Sequence, residues 1–318
     1  MTDASTKRPV ALQMCPFSPM LEEGLGALFN VVRWDRLDDA AQAAFLRERG
    51  GEVRAVATGG HLGCSNALMA ALPALGIISI NGVGVDKVDL ADAARRGVAV
   101  TNTPDVLTAD VADLAVGLTI DLLRGIGQAD RFVREGRWPR GDKPLARRVS
   151  GRRFGIVGLG RIGRATADRL AAFGPVRYTG RNAKEGPYDF EPDLLALARW
   201  ADVLVLTCAA NERTRGMIDG AVLDALGPEG VLVNVSRGSV VDEPALLEAV
   251  EQARIAGAAL DVFADEPNVP ANAIASDRFV LTPHIASATA ECRRAMADLV
   301  LANLRAWLAG QPLPTAVS

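Results

Sequence analysis

The chain has 318 residues, enough for two domains with separate hydrophobic cores. A hydrophobic content of 49% with only 5% aromatics suits an Ala/Val/Leu-rich α/β enzyme and argues against a disordered or secreted scaffold. A formal net charge of -3 supplies no basic field, so nucleic acid is excluded as an expected partner.

Met1–Val10 contains no positively charged start leading into an apolar run, so no secretory signal is expected. Short apolar runs then alternate with helical segments, the signature of parallel sheets with crossover helices. Strands are predicted at Val10–Met14, Asn30–Trp34, Arg54–Thr58, Ile77–Ile80 and Val98–Thr101. His61 follows the third run, either lining a substrate entrance or stabilising its own loop. Asn81-Gly-Val-Gly-Val-Asp86 follows the fourth. Its main-chain N–H groups suit an anion nest for a substrate carboxylate, an ordinary glycine turn being the alternative.

Asp105–Gly136 reads as one long helix, opened by the Thr108 hydroxyl with Asp110 in the first turn. Val111, Leu114, Leu118 and Leu122 form its packing stripe. Asp113 and Asp121 interrupt its apolar run, and the other apolar stretches are equally short, so no membrane span is expected. The basic run Gly136–Arg148 looks like an exposed arm, either a solvated loop or a subunit contact.

The second half repeats the scheme, with strands predicted at Phe154–Gly158, Val176–Thr179, Val203–Thr207, Val231–Val235, Ala258–Val262 and Val280–Leu281. Thr289–Leu308 reads as an amphipathic helix with Met296, Val300, Leu304 and Leu308 on one stripe, packing back on the N-terminal unit. The four cysteines (Cys15, Cys64, Cys208, Cys292) show no CxxC or metal-ligand spacing, which points to reduced thiols in a cytoplasmic protein and to no metal site.

Gly158-Leu-Gly-Arg-Ile-Gly163 stands between a strand and the helix predicted at Ile162–Phe173, the setting a dinucleotide fingerprint requires. Gly158 allows the tight turn, Gly160 lets the backbone approach a pyrophosphate, and Gly163 permits close helix-to-strand packing. Leu159, Arg161 and Ile162 fall among the cofactor contacts, as does Cys208 after the Val203–Thr207 strand. An NAD site usually carries Asp or Glu after the second strand, whereas this chain has Thr179-Gly-Arg-Asn182. Arg181 can pair with a 2′-phosphate, Gly180 leaves it room, Asn182 can donate to it and Lys184 adds charge, so NADPH is preferred over NADH.

Reduction of a 2-oxo acid needs a grip on the carboxylate, polarisation of the carbonyl and a proton. Arg237, following the Val231–Val235 strand, offers a planar guanidinium for the first two tasks. His284 offers the proton, and Glu266 beside it in the fold would hold the imidazolium and fix its tautomer.

With these motifs in view, the chain resembles the D-isomer-specific 2-hydroxyacid dehydrogenases along nearly its whole length. The resemblance rests on Gly82-Val-Gly-Val-Asp-Lys-Val-Asp89, Thr101-Asn-Thr-Pro-Asp-Val-Leu-Thr108, the glycine fingerprint, Asn234–Gly238, Ala258-Ala-Leu-Asp-Val-Phe263, Asp265-Glu-Pro267 and Pro283-His284, in family order. Within the family the style is that of the NADPH-dependent glyoxylate/hydroxypyruvate reductases and the hydroxyphenylpyruvate reductases.

The resemblance implies Arg237, Glu266 and His284 as catalytic residues, Asp261 as partner of the nicotinamide amide and Thr108 as a cofactor contact. It further implies main-chain binding of the substrate carboxylate at Val83 and Gly84, Ser287 near the substrate, and Trp138 crossing to a neighbouring active site in a homodimer. The expected fold is α/β, with two doubly wound, Rossmann-like parallel-sheet domains and the active site in the cleft between them. The substrate-binding domain would comprise 1–101 and 287–318, and the dinucleotide-binding domain 102–286. The expected activity is hydride transfer from NADPH to glyoxylate or hydroxypyruvate, with bulkier 2-oxo acids such as hydroxyphenylpyruvate as the alternative. A dinucleotide-sensing, corepressor-like binding protein is the alternative of another class.

Overall fold

The computed structural model describes residues Arg8–Val317; Met1–Lys7, where no secretory signal is expected, and Ser318 lie outside the described residues. The apolar runs become two parallel sheets with helices in the connections. The first contains β1 (Val10–Gln13), β2 (Asn30–Arg33), β3 (Val53–Gly59), β4 (Ile77–Asn81) and β5 (Ala99–Thr101), in the order β2-β1-β3-β4-β5. The second contains β6 (Phe154–Val157), β7 (Val176–Thr179), β8 (Asp189–Phe190), β9 (Val203–Leu206), β10 (Val231–Asn234), β11 (Gly257–Leu260) and β12 (Phe279–Leu281). Its order is β12-β11-β10-β9-β6-β7-β8. Every strand pairing is parallel.

Strands covered on both faces must be apolar on both, and β1, β6, β9, β10 and β11 are buried at every position. In the first sheet, Leu12, Val56, Ile78 and Val100 face one core. Their neighbours Ala11, Ala55 and Ile77 face another, shared with Leu301 and Leu304. This period of two lets one short strand serve two layers. The helix Ala290–Leu308 covers that second face, capped by the Thr289 side chain accepting from the Cys292 N–H.

Three features depart from the sequence reading. The single long helix becomes two, Thr108–Arg124 and Ile126–Arg134. Gly125 between them takes a left-handed conformation (φ 59°), and the Asp121 carboxylate accepts from the Gly127 N–H as the second helix opens. Leu308 is 40% exposed although Met296, Val300 and Leu304 are buried. Repeated steps of four residues drift by about 40° each around a 3.6-residue helix, which carries the last residue of the stripe off the buried face. The strand β8 has only two residues, too few to give a periodic signal.

The chain forms two compact units, one running to Leu107 and resuming at Thr289, the other spanning Thr108–Ala288. These limits lie a little beyond 101/102 and 286/287; residues 102–107 stay with the first unit, where Asn102 donates to the Val83 carbonyl and the Thr103 N–H to the Gly82 carbonyl. Within the second sheet, the chain runs from β6 outward through β7 and β8, then restarts at β9 on the other side of β6. The carboxyl ends of β6 and β9 therefore flank the point where strand order reverses, which is where open α/β sheets take ligands.

Candidate active site

The glycine turn occupies that reversal point. Gly158 has φ 96°, and a Cβ on it would stand 2.6 Å from Cys208 Cα; one on Gly163 would stand 2.0 Å from the Gly158 carbonyl oxygen. Thr207, at the end of β9, closes the turn by donating its hydroxyl to the Gly158 carbonyl at 2.8 Å. Gly160 caps the helix Arg161–Leu170, and open space lies where its Cβ would be. Gly160 and Arg161 are exposed and Ile162 half-buried, whereas the Leu159 side chain is 4% exposed and leaves only main chain for a ligand. Burial pushes the Cys208 thiol up to about 11, so it is a neutral packing group beside the turn. An uncrowded main-chain turn at a helix N-terminus fits a dinucleotide pyrophosphate. Thr108 heads the helix that packs against this one, the two joined by an Arg169–Asp113 ion pair at 2.6 Å.

After β7 the chain turns through Gly180, Arg181 and Asn182, all exposed, with open space beside the Gly180 Cα. This turn contains no carboxylate. Its exposed cationic and amide side chains could hold a phosphate or a ribose hydroxyl.

Arg237, Glu266 and His284 all come from loops at the carboxyl ends of the second sheet. His284 Nδ1 lies 2.7 Å from Glu266 Oε2, and the other Glu266 oxygen accepts from the Phe263 N–H at 3.1 Å. Burial alone would raise the Glu266 carboxyl. The hydrogen bond and charge of His284, the Phe263 N–H and the charge of Arg237 outweigh it and hold the group below its usual range. The loop of Arg237 approaches Phe263 so closely that a Cβ on Gly238 would lie 2.0 Å from the Phe263 carbonyl group.

Two buried strand-end residues shape these loops. Asn234 closes β10, donating to the Arg237 carbonyl at 3.0 Å and accepting from the main chain and hydroxyl of Ser236. Asp261, fully buried next to it, accepts from the Thr282 hydroxyl (2.6 Å), the Ile285 N–H (2.8 Å) and the Ala286 N–H (2.9 Å). Its main-chain carbonyl also accepts from the His284 N–H at 2.9 Å. These bonds hold His284 in a left-handed conformation, φ 53°, uncommon for a residue other than glycine. Sequence reading missed the structural work of Asn234, Thr207 and Thr282; a buried polar residue ending an apolar strand is the signal that could have found them. Ser287 follows the anchored Ala286 and is half-buried.

In the first unit, the loop after β4 carries Val83 and Gly84, both half-buried. The Val83 carbonyl accepts from Asn102 Nδ2 at 2.8 Å, and the Gly82 carbonyl from the Thr103 N–H at 2.9 Å. The exposed His61 folds its ring over Gly59, where a Cβ would meet it at 2.7 Å. Trp138, in the turn Trp138–Arg140 of the basic arm, is 62% exposed. Among the described residues no cluster of His, Cys, Asp and Glu could hold a metal, and no helix is long and apolar enough to cross a membrane.

A dinucleotide-type turn and an imidazole–carboxylate pair on neighbouring strand ends are the equipment of a dehydrogenase. Residues 116–286 match the family described as D-isomer specific 2-hydroxyacid dehydrogenase, NAD binding domain. The chain is 44% identical to a glyoxylate/hydroxypyruvate reductase A of Arabidopsis thaliana, over 96% of this chain and 98% of that one. It is 46% identical to a hydroxyphenylpyruvate reductase of Plectranthus scutellarioides, with the same coverage of 96% and 98%. Among solved structures, an NADPH-dependent glyoxylate/hydroxypyruvate reductase of Sinorhizobium meliloti, in complex with NADP and malonate, superposes with a TM-score of 0.92. That match has 42% identity and covers 98% of this chain and 97% of that one. The chain belongs to the D-isomer-specific 2-hydroxyacid dehydrogenase family.

Proposed function

We propose that this protein reduces small 2-oxo acids to 2-hydroxy acids with NADPH, glyoxylate and hydroxypyruvate first among them. The observation that carries the reading is the 2.7 Å contact between His284 Nδ1 and Glu266. A carboxylate on Nδ1 keeps a proton there and leaves Nε2 as the atom that gives its proton to a carbonyl oxygen. Arg237 polarises that carbonyl and orients the acid, its own backbone fixed by Asn234. Val83 and Gly84 take the carboxylate through main-chain N–H groups, Asn102 and Thr103 having drawn neighbouring carbonyls to themselves. Bound NADPH supplies the hydride. Gly160 and Arg161 would hold its pyrophosphate on the turn that Gly158 and Gly163 make possible, with Thr108 and Cys208 nearby, and the buried Asp261 would set the loop at the nicotinamide end. Arg181 and Asn182 take the 2′-phosphate.

The activities named for the Arabidopsis and Sinorhizobium relatives support the two leading substrates. The Plectranthus relative supports the second reading, a reductase of hydroxyphenylpyruvate and similar bulky acids. We further propose a homodimer. Trp138, Ile126, Val133 and Leu145 are exposed apolar side chains on the helix Ile126–Arg134 and the arm after it, and a second subunit would cover them. The free thiols of Cys15, Cys64 and Cys208 suit the reducing cytoplasm.

NADPH oxidation measured across glyoxylate, hydroxypyruvate, phenylpyruvate and pyruvate tests the substrate class, and turnover of none of them would overturn it. Arg181→Ala is expected to weaken NADPH by about ten- to a hundredfold while sparing NADH, the range of one charge-assisted contact. Equal weakening of both cofactors rejects the 2′-phosphate contact.

A further inference from the structure

We propose that Tyr178 is a positioning residue for cofactor choice, its buried phenol holding the turn that carries Arg181 and Asn182. The proposal rests on the reading of Arg181 as the 2′-phosphate contact and adds what fixes that arginine in place.

Tyr178 lies in β7 with its side chain 1% exposed, tilted against Phe190 of β8 at 5.3 Å between ring centroids. A buried tyrosine hydroxyl needs partners, and here both come from one residue outside the strand. The hydroxyl accepts from the Lys184 N–H at 2.6 Å and donates to the Lys184 carbonyl at 3.1 Å. The chain thus leaves the sheet at Thr179, runs out through Gly180–Ala183, and is drawn back at Lys184 to the phenol one residue before its exit. Arg181 and Asn182 sit on a short span fixed at both ends.

A second attachment follows. Arg164, on the helix that starts at the glycine turn, donates to the Glu185 carbonyl at 2.6 Å and lies 5.3 Å from the Tyr188 ring centroid. The Tyr188 hydroxyl donates to Asp168 of the same helix at 2.6 Å. The far side of the turn is therefore tied to the element proposed to bind the pyrophosphate.

An exposed arginine gains affinity for a phosphate in proportion to how little freedom it loses on binding. Holding its main chain beforehand removes part of that cost, and only for a ligand that carries the 2′-phosphate. Tyr178→Phe deletes one oxygen and keeps the ring packing. It is expected to weaken NADPH and 2′,5′-ADP by about three- to tenfold, the span of a neutral hydrogen bond, and to leave NADH and 5′-AMP binding unchanged. A role confined to stability would weaken all four ligands alike.

The test is calorimetric binding of the four ligands to wild type, Tyr178→Phe, Arg181→Ala and the double variant. If the phenol acts through the arginine, Arg181→Ala costs less NADPH affinity in the Tyr178→Phe background than in wild type. Equal losses for NADPH and NADH in Tyr178→Phe, or strictly additive effects, overturn the proposal for Tyr178. Arg181→Ala that fails to separate NADPH from NADH overturns instead the reading of Arg181 on which it rests. Should Tyr178→Phe not fold, Arg164→Gln loosens the outer attachment. It must then shift the NADPH-to-NADH affinity ratio in the same direction, and an unchanged ratio rejects the mechanism.

Discussion

The strand ends of the second sheet hold their chemistry in two contrasting ways. Beyond β10 and β12, the loops of Arg237 and His284 are templated by side chains buried at strand ends, Asn234 and Asp261. Beyond β7, Arg181 and Asn182 are exposed, on a turn attached at Lys184 to the Tyr178 phenol and at Glu185 to Arg164 of the neighbouring helix. Proton transfer tolerates little displacement, and the residues we propose for it sit on loops with dense internal hydrogen bonding. The proposed choice of cofactor would require only a charge at the right place, and a surface turn with two attachments can provide that. On this reading the reacting end is over-determined in geometry, while the cofactor end is easily altered.

The largest expected effect lies at the over-determined end. His284→Ala should lower turnover by about 10² to 10⁴ while leaving NADPH binding intact, as loss of a general acid does. Turnover near wild type in single-turnover measurements would remove His284 from the chemistry.

Asp261→Asn sharpens the contrast next. The amide keeps the shape, but its NH₂ group would face an N–H donor on the His284 loop, leaving a buried polar group unsatisfied. A stability loss of about 1–3 kcal/mol is expected in denaturant titrations of the variant. An unaltered transition would show that the carboxylate does not hold the loop.

The smallest effect belongs to Glu266→Gln. A neutral amide cannot hold the ring as the carboxylate does at 2.7 Å, so reduction should slow less than in His284→Ala with NADPH binding kept, and an unchanged turnover would break the His–Glu coupling. Stability follows the same carboxylate. Its folded pKa lies below the usual 4.5, so its contribution is fully present above 4.5 and is lost as pH falls through the lowered value. Wild type and variant should accordingly converge in stability in acid and differ at neutral pH.

Sequence alone determined every strand but the two-residue β8, and it supplied candidate residues for their ends. Doubly buried parallel strands must be continuously apolar, so Val203–Leu206 and Val231–Asn234 are legible without a partner. The glycine fingerprint, the missing carboxylate after Thr179 and the candidates Arg237, Glu266 and His284 could be picked out for a similar reason, since each proposed role demands a residue type at a fixed place relative to a strand.

Other features were decided only by the tertiary structure. Whether Asp105–Gly136 stays one helix depends on Gly125 taking positive φ, a choice that helical periodicity does not record. That Asp261 shapes the loop of His284 depends on Ile285 and Ala286 folding back on it across more than twenty residues of chain, a pairing without local spacing. The hold of Tyr178 on Lys184 is hidden likewise, because in sequence Tyr178 is one more apolar residue of a strand and its hydroxyl gains meaning only from the turn that returns to it. Residue type and periodicity are local properties, whereas the partner of a buried polar atom is set by the path of the chain.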